Sequence, residues 1–200
     1  MKTTQILIAG FGGQGILFAG KFLAYKGLME DKQVSWLPSY GPEMRGGTAN
    51  CNVILSETPV GSPIVTEPDV LIAMNLPSLE KYIDTVVPGG QVYLDSALIH
   101  TEIKRTDIQV FPIPATQLAK EQDMATLANM IIVGHLLENH PELSFAGTEE
   151  VVNKLVPAKK AALVELNMKA LMLGKDFGNE SNMHSDADPL PQACRELRPG

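Results

Sequence analysis

Six residues near the amino terminus have the composition of a loop that binds anions. Residues 10–15, Gly-Phe-Gly-Gly-Gln-Gly, match the pattern G-x-G-x-x-G and lie between a strand-like apolar run and a helix-like one. Glycine permits a tight turn and lets a ligand approach the backbone, while unpaired N–H groups at the start of a helix attract negative charge. We therefore predict that Gly12, Gly13, Gln14 and Gly15 bind an anionic ligand. The alternative is a close-packed strand–helix turn that holds no ligand.

A second glycine-rich segment, residues 39–48 (Ser-Tyr-Gly-Pro-Glu-Met-Arg-Gly-Gly-Thr), follows the next strand-like run. Both segments are thus expected at the carboxyl ends of strands, the edge where open α/β sheets bind ligands. Arg45 is a permanent cation whose planar guanidinium suits phosphate or carboxylate. The alternative is a surface loop in which Arg45 is solvated or pairs with Glu43. The residues of this segment that we predict to contact the ligand are Tyr40, Arg45, Gly46, Gly47 and Thr48.

The residues around the first motif narrow the identity of the anion. In an NAD site an acidic residue ends the second strand and binds the ribose hydroxyls, whereas here residues 33–37 run into Pro38-Ser39-Tyr40 without an acid. NAD is therefore disfavoured. Residues 15–22 imitate a P-loop, but Phe22 stands where a Ser or Thr would bind magnesium, and the intervening residues form an apolar helix face. We therefore also reject ATP hydrolysis.

The composition excludes several other classes of protein. No apolar run reaches the roughly 18 residues needed to span a membrane, and no secretory leader is recognisable, so we expect a cytoplasmic protein. A net charge of −7 without a basic stripe argues against nucleic-acid binding. The two cysteines, Cys51 and Cys194, are too few for an iron–sulfur cluster or a four-thiolate zinc site. We predict no metal site and no catalytic residue on this chain, and the alternating pattern around Cys51 predicts a buried strand residue.

Strand-like runs recur up to residue 113 with helical periodicity between several of them, and the pattern after residue 113 is helical almost to the end. This order predicts a single-domain α/β fold, a Rossmann-like three-layer sandwich with a mainly parallel sheet between helices. The predicted strands are residues 5–9, 33–37, 49–55, 69–74, 91–95 and 108–113. The predicted helices are residues 14–28, one that starts near Asn75, residues 126–139, one that starts at Thr148, and residues 158–173, which Gly174 would stop.

The composition changes near residue 178, where Asn, Ser, Asp, Pro and His replace most apolar residues. Such a segment buries too little surface to offset the entropy of ordering it. We therefore predict one domain over residues 1–177 and a flexible tail over residues 178–200. The alternative for the tail is an arm that a partner subunit orders.

Taken together, residues 10–15 and 39–47 resemble the gamma subunit of 2-oxoacid:ferredoxin oxidoreductases. These enzymes act on pyruvate, 2-oxoisovalerate, 2-oxoglutarate or indolepyruvate. The resemblance extends over about residues 4–175, and residues 69–74 and 127–130 fit later segments of the family. Among the four substrates, the overall likeness of the sequence to the family favours 2-oxoglutarate.

The resemblance implies a function and a set of partners for this chain. The family oxidatively decarboxylates a 2-oxoacid to an acyl-CoA, with thiamine diphosphate, Mg²⁺ and iron–sulfur clusters that must lie on partner subunits here. The implied partners are thiamine-bearing alpha and beta subunits and a ferredoxin-like cluster subunit, with ferredoxin as the electron acceptor of the complex. The gamma subunit would contribute one face of a shared coenzyme A (CoA) site through the two glycine-rich segments. Two alternatives stay open, a standalone nucleotide-binding regulatory module and a dinucleotide-dependent dehydrogenase, the second disfavoured by the missing acid.

Overall fold

Six strands form one open sheet in the order β2-β3-β1-β4-β5-β6. The computed structural model describes residues 2–39 and 49–185. The predicted alternation of strands and helices holds only in part, because α-helices follow β1 and β4 whereas β2, β3 and β4, and then β5 and β6, succeed one another without an intervening α-helix. β4 is buried along its whole length, as expected for a strand with both faces covered. The strands are β1 (Thr3–Gly10), β2 (Gln33–Ser39), β3 (Ala49–Ser56), β4 (Val70–Ala73), β5 (Gln91–Asp95) and β6 (Gln109–Ile113).

The strand directions confirm the predicted mainly parallel sheet. β1, β4, β5 and β6 pair in parallel, while β3 is antiparallel to both of its neighbours, β1 and β2. Because β2 and β3 are consecutive and antiparallel, residues 40–48 connect them at the edge of the sheet where β1 ends, opposite Gly10. Every second residue of β3 faces the larger core, namely Cys51, Val53 and Leu55. This agrees with the alternating apolar pattern that predicted a buried Cys51.

Helices cover both faces of the sheet and give the predicted three layers. α1 and α4 pack on one face over the larger core, with α6 outside α4. α2 covers the other face, where Leu79 packs with Leu7, Leu71 and Val92. Within the described ranges, no helix combines the length and apolarity needed to cross a membrane. The helices are α1 (Ile16–Met29), α2 (Leu76–Tyr82), α3 (Ala115–Glu121), α4 (Ala128–Asn139), α5 (Thr148–Leu155) and α6 (Ala161–Ser185).

The predicted end of the last helix at Gly174 is wrong, because α6 continues to Ser185. Gly174 lies against the backbone of α4, where an added Cβ would come within 1.8 Å of the Ile131 carbonyl oxygen. Gly134 of α4 lies equally close to α6, because a Cβ added to it would come within 2.0 Å of the carbonyl oxygen of Leu171. These glycines allow two helices to touch backbone to backbone. Residues 178–185, predicted above as the start of the flexible tail, are therefore helical; residues 186–200 lie outside the described residues.

His135 lies in an aromatic cluster at the same helix pair. Its ring is 2% exposed and makes edge contacts with Tyr93, Phe111 and Phe177 at centroid distances of 5.6–6.2 Å. Burial lowers the pKa of His135 to about 4, although a hydrogen bond with the backbone of Gly174 opposes the shift. His135 is thus a neutral packing residue at physiological pH.

We expect His135 to make the fold sensitive to acid. In the unfolded chain its pKa returns to 6.5, so below that pH the unfolded state binds a proton that the folded state does not. The folded state keeps this stabilisation in full above pH 6.5 and loses it as the pH falls toward 4. At pH 5 the free energy of unfolding is about 2 kcal/mol lower than at neutral pH. Urea denaturation at pH 7.5 and pH 5.0 should show this loss in the wild type and a smaller one in His135→Leu. The exposed His100, changed to Leu, serves as the control; a wild-type pH dependence in His135→Leu would contradict the prediction.

Candidate functional site

The first glycine-rich segment forms the turn from β1 into α1 at the carboxyl edge of the sheet. Gly13 and Gly15 have φ angles of +91° and +73°, a left-handed conformation that strongly favours glycine. Gly15 is the N-cap of α1 and supplies no side chain to the first helical turn. Gly12 and Gly13 are exposed, and no described residue accepts a hydrogen bond from their N–H groups. The turn therefore presents main-chain donors to solvent beside the positive end of a 14-residue helix.

Gln14 turns its amide into the protein. Its Oε1 accepts hydrogen bonds from the Phe11 N–H at 2.6 Å and from Asn75 Nδ2 at 2.9 Å, and its Nε2 donates to the Met74 carbonyl at 2.9 Å. Asn75 in turn caps α2 by accepting from the Ser78 N–H at 2.9 Å, which confirms the predicted helix start. We infer that Gln14 fixes the shape of the loop by tying β1 to β4 and α2.

Asn129 is the residue at this site that sequence reasoning missed. It lies in the first turn of α4, is 3% exposed, and donates from Nδ2 to the Gly15 carbonyl at 3.0 Å. Its Oδ1 is buried and finds no hydrogen-bond partner among the described residues. A buried amide oxygen that accepts no hydrogen bond costs free energy. The base of the loop therefore holds an unsatisfied hydrogen-bond acceptor within the described residues. The available signal was a lone amide in the apolar run of residues 127–133, 114 residues beyond Gly15.

The second glycine-rich segment begins and ends at the same edge of the sheet as the first, and its end lies beside Gly10. Ala49, at the start of β3, is the register partner of Gly10, and Ser39, at the end of β2, is the partner of Asn50. The two connections therefore leave the sheet at the same edge, as the sequence predicted. The predicted contact residues Tyr40, Arg45, Gly46, Gly47 and Thr48 themselves lie outside the described residues.

Other polar groups nearby have structural tasks. The Asp95 carboxylate at the end of β5 is fully buried and accepts hydrogen bonds from the Ala97 N–H and from the N–H and hydroxyl of Thr116. Cys51 is fully buried, as predicted, and burial raises the pKa of its thiol to about 12. Within residues 2–39 and 49–185, no three His, Cys, Asp or Glu side chains come close enough to hold a metal ion. In the described part of the first loop, the exposed hydrogen-bond donors are the main-chain N–H groups of Gly12 and Gly13.

Two solved structures share the fold over 88% and 90% of this chain. The chain superposes with a TM-score of 0.76 on the gamma subunit of keto/oxoacid ferredoxin oxidoreductase from Geobacter sulfurreducens PCA, at 29% identity over 88% of this chain and 99% of that one. It also superposes, with a TM-score of 0.81 and 26% identity, on 2-oxoglutarate:ferredoxin oxidoreductase from Magnetococcus marinus, solved with 2-oxoglutarate, coenzyme A and succinyl-CoA. That match covers 90% of this chain and 32% of the other.

Curated relatives agree with the structural neighbours. Ketoisovalerate oxidoreductase subunit VorA of Methanothermobacter thermautotrophicus is 35% identical over 88% of this chain, which spans only 37% of VorA. The 2-oxoglutarate synthase subunit KorC of Methanocaldococcus jannaschii is 32% identical over 88% of this chain and 94% of KorC. Together with the Geobacter neighbour, these relatives confirm the resemblance to gamma subunits. Since a family model described as pyruvate ferredoxin/flavodoxin oxidoreductase matches residues 5–177, the chain belongs to that family.

Proposed function

We propose that this chain is the gamma subunit of a 2-oxoacid:ferredoxin oxidoreductase and that its glycine-rich edge binds part of coenzyme A while a 2-oxoacid is oxidatively decarboxylated to an acyl-CoA. The observation that carries the proposal is that the backbone N–H groups of Gly12 and Gly13 are exposed and donate to no described residue, next to the N-terminus of α1. Backbone N–H groups at a helix N-terminus bind phosphoryl oxygens without any special side chain. Coenzyme A brings a pyrophosphate and a 3′-phosphate.

The neighbourhood of the loop supports the same ligand. The second segment starts at Ser39 of β2 and ends next to Ala49, the register partner of Gly10, so the cation Arg45 belongs to a connection that joins the sheet at this edge. A bidentate guanidinium adds strength to phosphate binding that main-chain donors alone do not provide. The Magnetococcus neighbour, which shares the fold at a TM-score of 0.81, was solved with coenzyme A and succinyl-CoA.

The rest of the chemistry belongs, in this proposal, to partner subunits. Thiamine-bearing alpha and beta subunits with Mg²⁺ would supply the electron sink for decarboxylation, and a ferredoxin-like subunit would carry the iron–sulfur clusters that reduce ferredoxin. This chain positions the acyl acceptor through Gly12, Gly13, Gly15 and Arg45. Gln14 and Asn129 hold the loop in shape.

Which 2-oxoacid the enzyme uses is a separate matter. The relatives named for ketoisovalerate and for 2-oxoglutarate are 35% and 32% identical to this chain, a difference too small to select one substrate. The lean to 2-oxoglutarate stays a prediction, as does a cytoplasmic location.

We expect Gly13→Ala, in the assembled enzyme, to raise the KM for coenzyme A about tenfold, the effect of losing one hydrogen bond to a charged group. Gly13 has φ +91° and no atom within 4 Å of an added Cβ, so the methyl group enters the open space above the loop. Gly89 is a matched control, since it has φ +82° and equally open surroundings in the turn before β5. Steady-state kinetics with coenzyme A and the 2-oxoacid varied separately measure the effect, and the KM for the 2-oxoacid should stay unchanged.

Two results would count against the proposal. An unaltered KM for coenzyme A in Gly13→Ala, in a complex that retains its subunits and clusters, would remove the first loop from the CoA site. A chain that binds nucleotides but joins no other subunit would favour the alternative, a standalone nucleotide-binding regulatory module.

A further inference from the structure

One side chain of the first glycine-rich segment takes no part in holding the loop. Phe11, between Gly10 and Gly12, is 42% exposed although it is a large apolar residue. Among the described residues it joins neither core cluster and stacks on no aromatic ring. A single exposed apolar side chain is ordinary on most surfaces. Phe11, however, directly precedes the two glycines whose exposed N–H groups donate to no described residue.

The backbone of Phe11 is fixed on both sides by Gln14. The Phe11 N–H donates to Gln14 Oε1 at 2.6 Å, and the Phe11 carbonyl accepts from the Gln14 N–H at 3.2 Å. The Gln14 amide is itself held by Met74 and Asn75. Because both backbone groups are engaged, the Cα–Cβ bond of Phe11 has a fixed direction. The ring is therefore carried on a preorganised support, which reduces the entropy lost when a ligand packs on it.

Phe11 lies at the point of the sheet where the connections diverge. β1 and β4 are parallel neighbours, with Ala9 in register with Ala73. After β1 the chain enters α1 on the face of the larger core, whereas after β4 it enters α2 on the opposite face. Open α/β sheets bind ligands in the crevice that such a divergence leaves at the carboxyl ends of the strands. The hydrogen bonds of Gln14 to Met74 and Asn75 cross from β1 to β4, so Phe11 lies beside this crevice.

The loop thus combines two kinds of surface, and one end of coenzyme A carries a group for each of them. Exposed main-chain N–H groups bind phosphoryl oxygens, and aromatic side chains stack on nucleobases. In coenzyme A the adenine and the 3′-phosphate are attached to the same ribose, whereas the thiol lies at the far end of the pantetheine arm. The Cα atoms of Phe11 and Gly12 are about 3.8 Å apart, as in any two consecutive residues. A base and a phosphate on one ribose are therefore matched by neighbouring residues of the loop.

We propose that Phe11 stacks on the adenine of coenzyme A while Gly12 and Gly13 bind the 3′-phosphate of the same nucleoside. This inference rests on the proposed function, because it specifies which end of the coenzyme this chain holds. The thiol end then extends away from the glycine-rich edge, toward the partner subunits that form the acyl group. The chain recognises the adenosine end of the coenzyme and leaves the reacting sulfur to those subunits.

The test uses adenosine 3′,5′-bisphosphate, which keeps the base and the 3′-phosphate of coenzyme A but lacks the pantetheine arm. In the assembled enzyme we expect it to compete with coenzyme A. Phe11→Leu should raise both its inhibition constant and the KM for coenzyme A roughly tenfold, the effect of losing one base–aromatic stack. Phe11→Tyr keeps the ring and should recover most of this loss. Leu98→Ala is the surface control, because Leu98 is also 42% exposed, in the turn after β5, and should change neither constant.

Inhibition by 4′-phosphopantetheine, the other half of the coenzyme, distinguishes the two orientations. If Phe11→Leu weakens this inhibition and leaves that by the bisphosphate unchanged, the ring lies along the pantetheine arm and the proposal is overturned. The proposal is also overturned if the bisphosphate does not compete with coenzyme A, or if its inhibition constant is the same in the wild type and Phe11→Leu. A Phe11→Leu complex that only loses partner subunits would make Phe11 an interface residue, which again contradicts adenine stacking.

Gly13→Ala separates a failure of this inference from a failure of the proposed function. If Gly13→Ala raises the KM for coenzyme A and Phe11→Leu does not, the first loop binds the coenzyme without an adenine contact at Phe11, and only this inference fails. If neither substitution changes that KM, the coenzyme binds elsewhere and the proposed function of the loop fails as well.

Discussion

Gly174→Ala is expected to destabilise the chain by about 3 kcal/mol or more, the upper range for overpacking a core. The sign is the opposite of that at an exposed helical glycine, where alanine stabilises a helix by up to about 1 kcal/mol. At Gly174 a Cβ would lie 1.8 Å from the Ile131 carbonyl oxygen, so α4 and α6 must move apart. α4 is almost wholly buried between the sheet and α6, and its displacement would loosen the larger core. Thermal denaturation should show a fall in melting temperature of about 6–12 °C or more, or a variant that does not accumulate.

Gly178→Ala is the matched control, one turn further along the same helix. Its nearest neighbours are side-chain atoms, Asn139 Nδ2 at 2.8 Å and His135 Nδ1 at 3.1 Å from the added Cβ, which can move without a shift of the backbone. We expect its melting temperature to stay within a few degrees of the wild type. A Gly174→Ala variant as stable as Gly178→Ala would mean that the two helices do not touch backbone to backbone.

The second large effect is expected at Gly15, where alanine should disturb both the fold and coenzyme A binding. A Cβ on Gly15 would lie 2.6 Å from Asn129 Nδ2, and moving that amide breaks its hydrogen bond to the Gly15 carbonyl. Gly15 also has φ +73°, so alanine adds backbone strain of about 1 kcal/mol. Urea denaturation measures the loss of stability, and the KM for coenzyme A in the assembled enzyme reports the change in the loop.

Gly147 separates the strain from the contact with Asn129. It is also the left-handed N-cap of a helix, with φ +72°, but no atom lies within 4 Å of an added Cβ. Gly147→Ala therefore carries the strain alone. We expect Gly15→Ala to lower the free energy of unfolding by about 2 kcal/mol more than Gly147→Ala does. Only Gly15→Ala should raise the KM for coenzyme A; equal effects of the two substitutions would show that Asn129 does not brace the loop.

Local patterns in the sequence predicted most of the scaffold. The strand predicted over residues 91–95 matches β5, and the pattern of residues 49–55 gives both β3 and the buried Cys51. The G-x-G-x-x-G motif is where it was expected, between β1 and α1. These features depend on residues close together in the chain, so hydrophobic periodicity and glycine placement are enough to predict them.

Features that depend on distant residues could not be predicted in this way. Gly174 suggested a helix end, because close contact with Ile131 is invisible without the tertiary fold. Asn129 reaches the first loop across 114 residues, and its role follows from how α4 packs beside α1. Gln14 matches the motif as a ligand contact, but the structure directs its amide to Phe11, Met74 and Asn75. For Gly174 and Asn129, tertiary packing gives the residue a role different from the one its local pattern indicates. For Gln14 it adds a structural role, and the contact with a ligand stays a prediction.

The burial of Cys51 has a consequence for a protein proposed to bind a thiol. Disulfide exchange requires a thiolate, and burial, which raises the pKa of the Cys51 thiol to about 12, keeps it protonated at pH 7. The sulfur is also fully enclosed, beside Gly20 and Trp36. Cys51 is therefore protected, both chemically and sterically, from forming a mixed disulfide with the free sulfhydryl of the coenzyme.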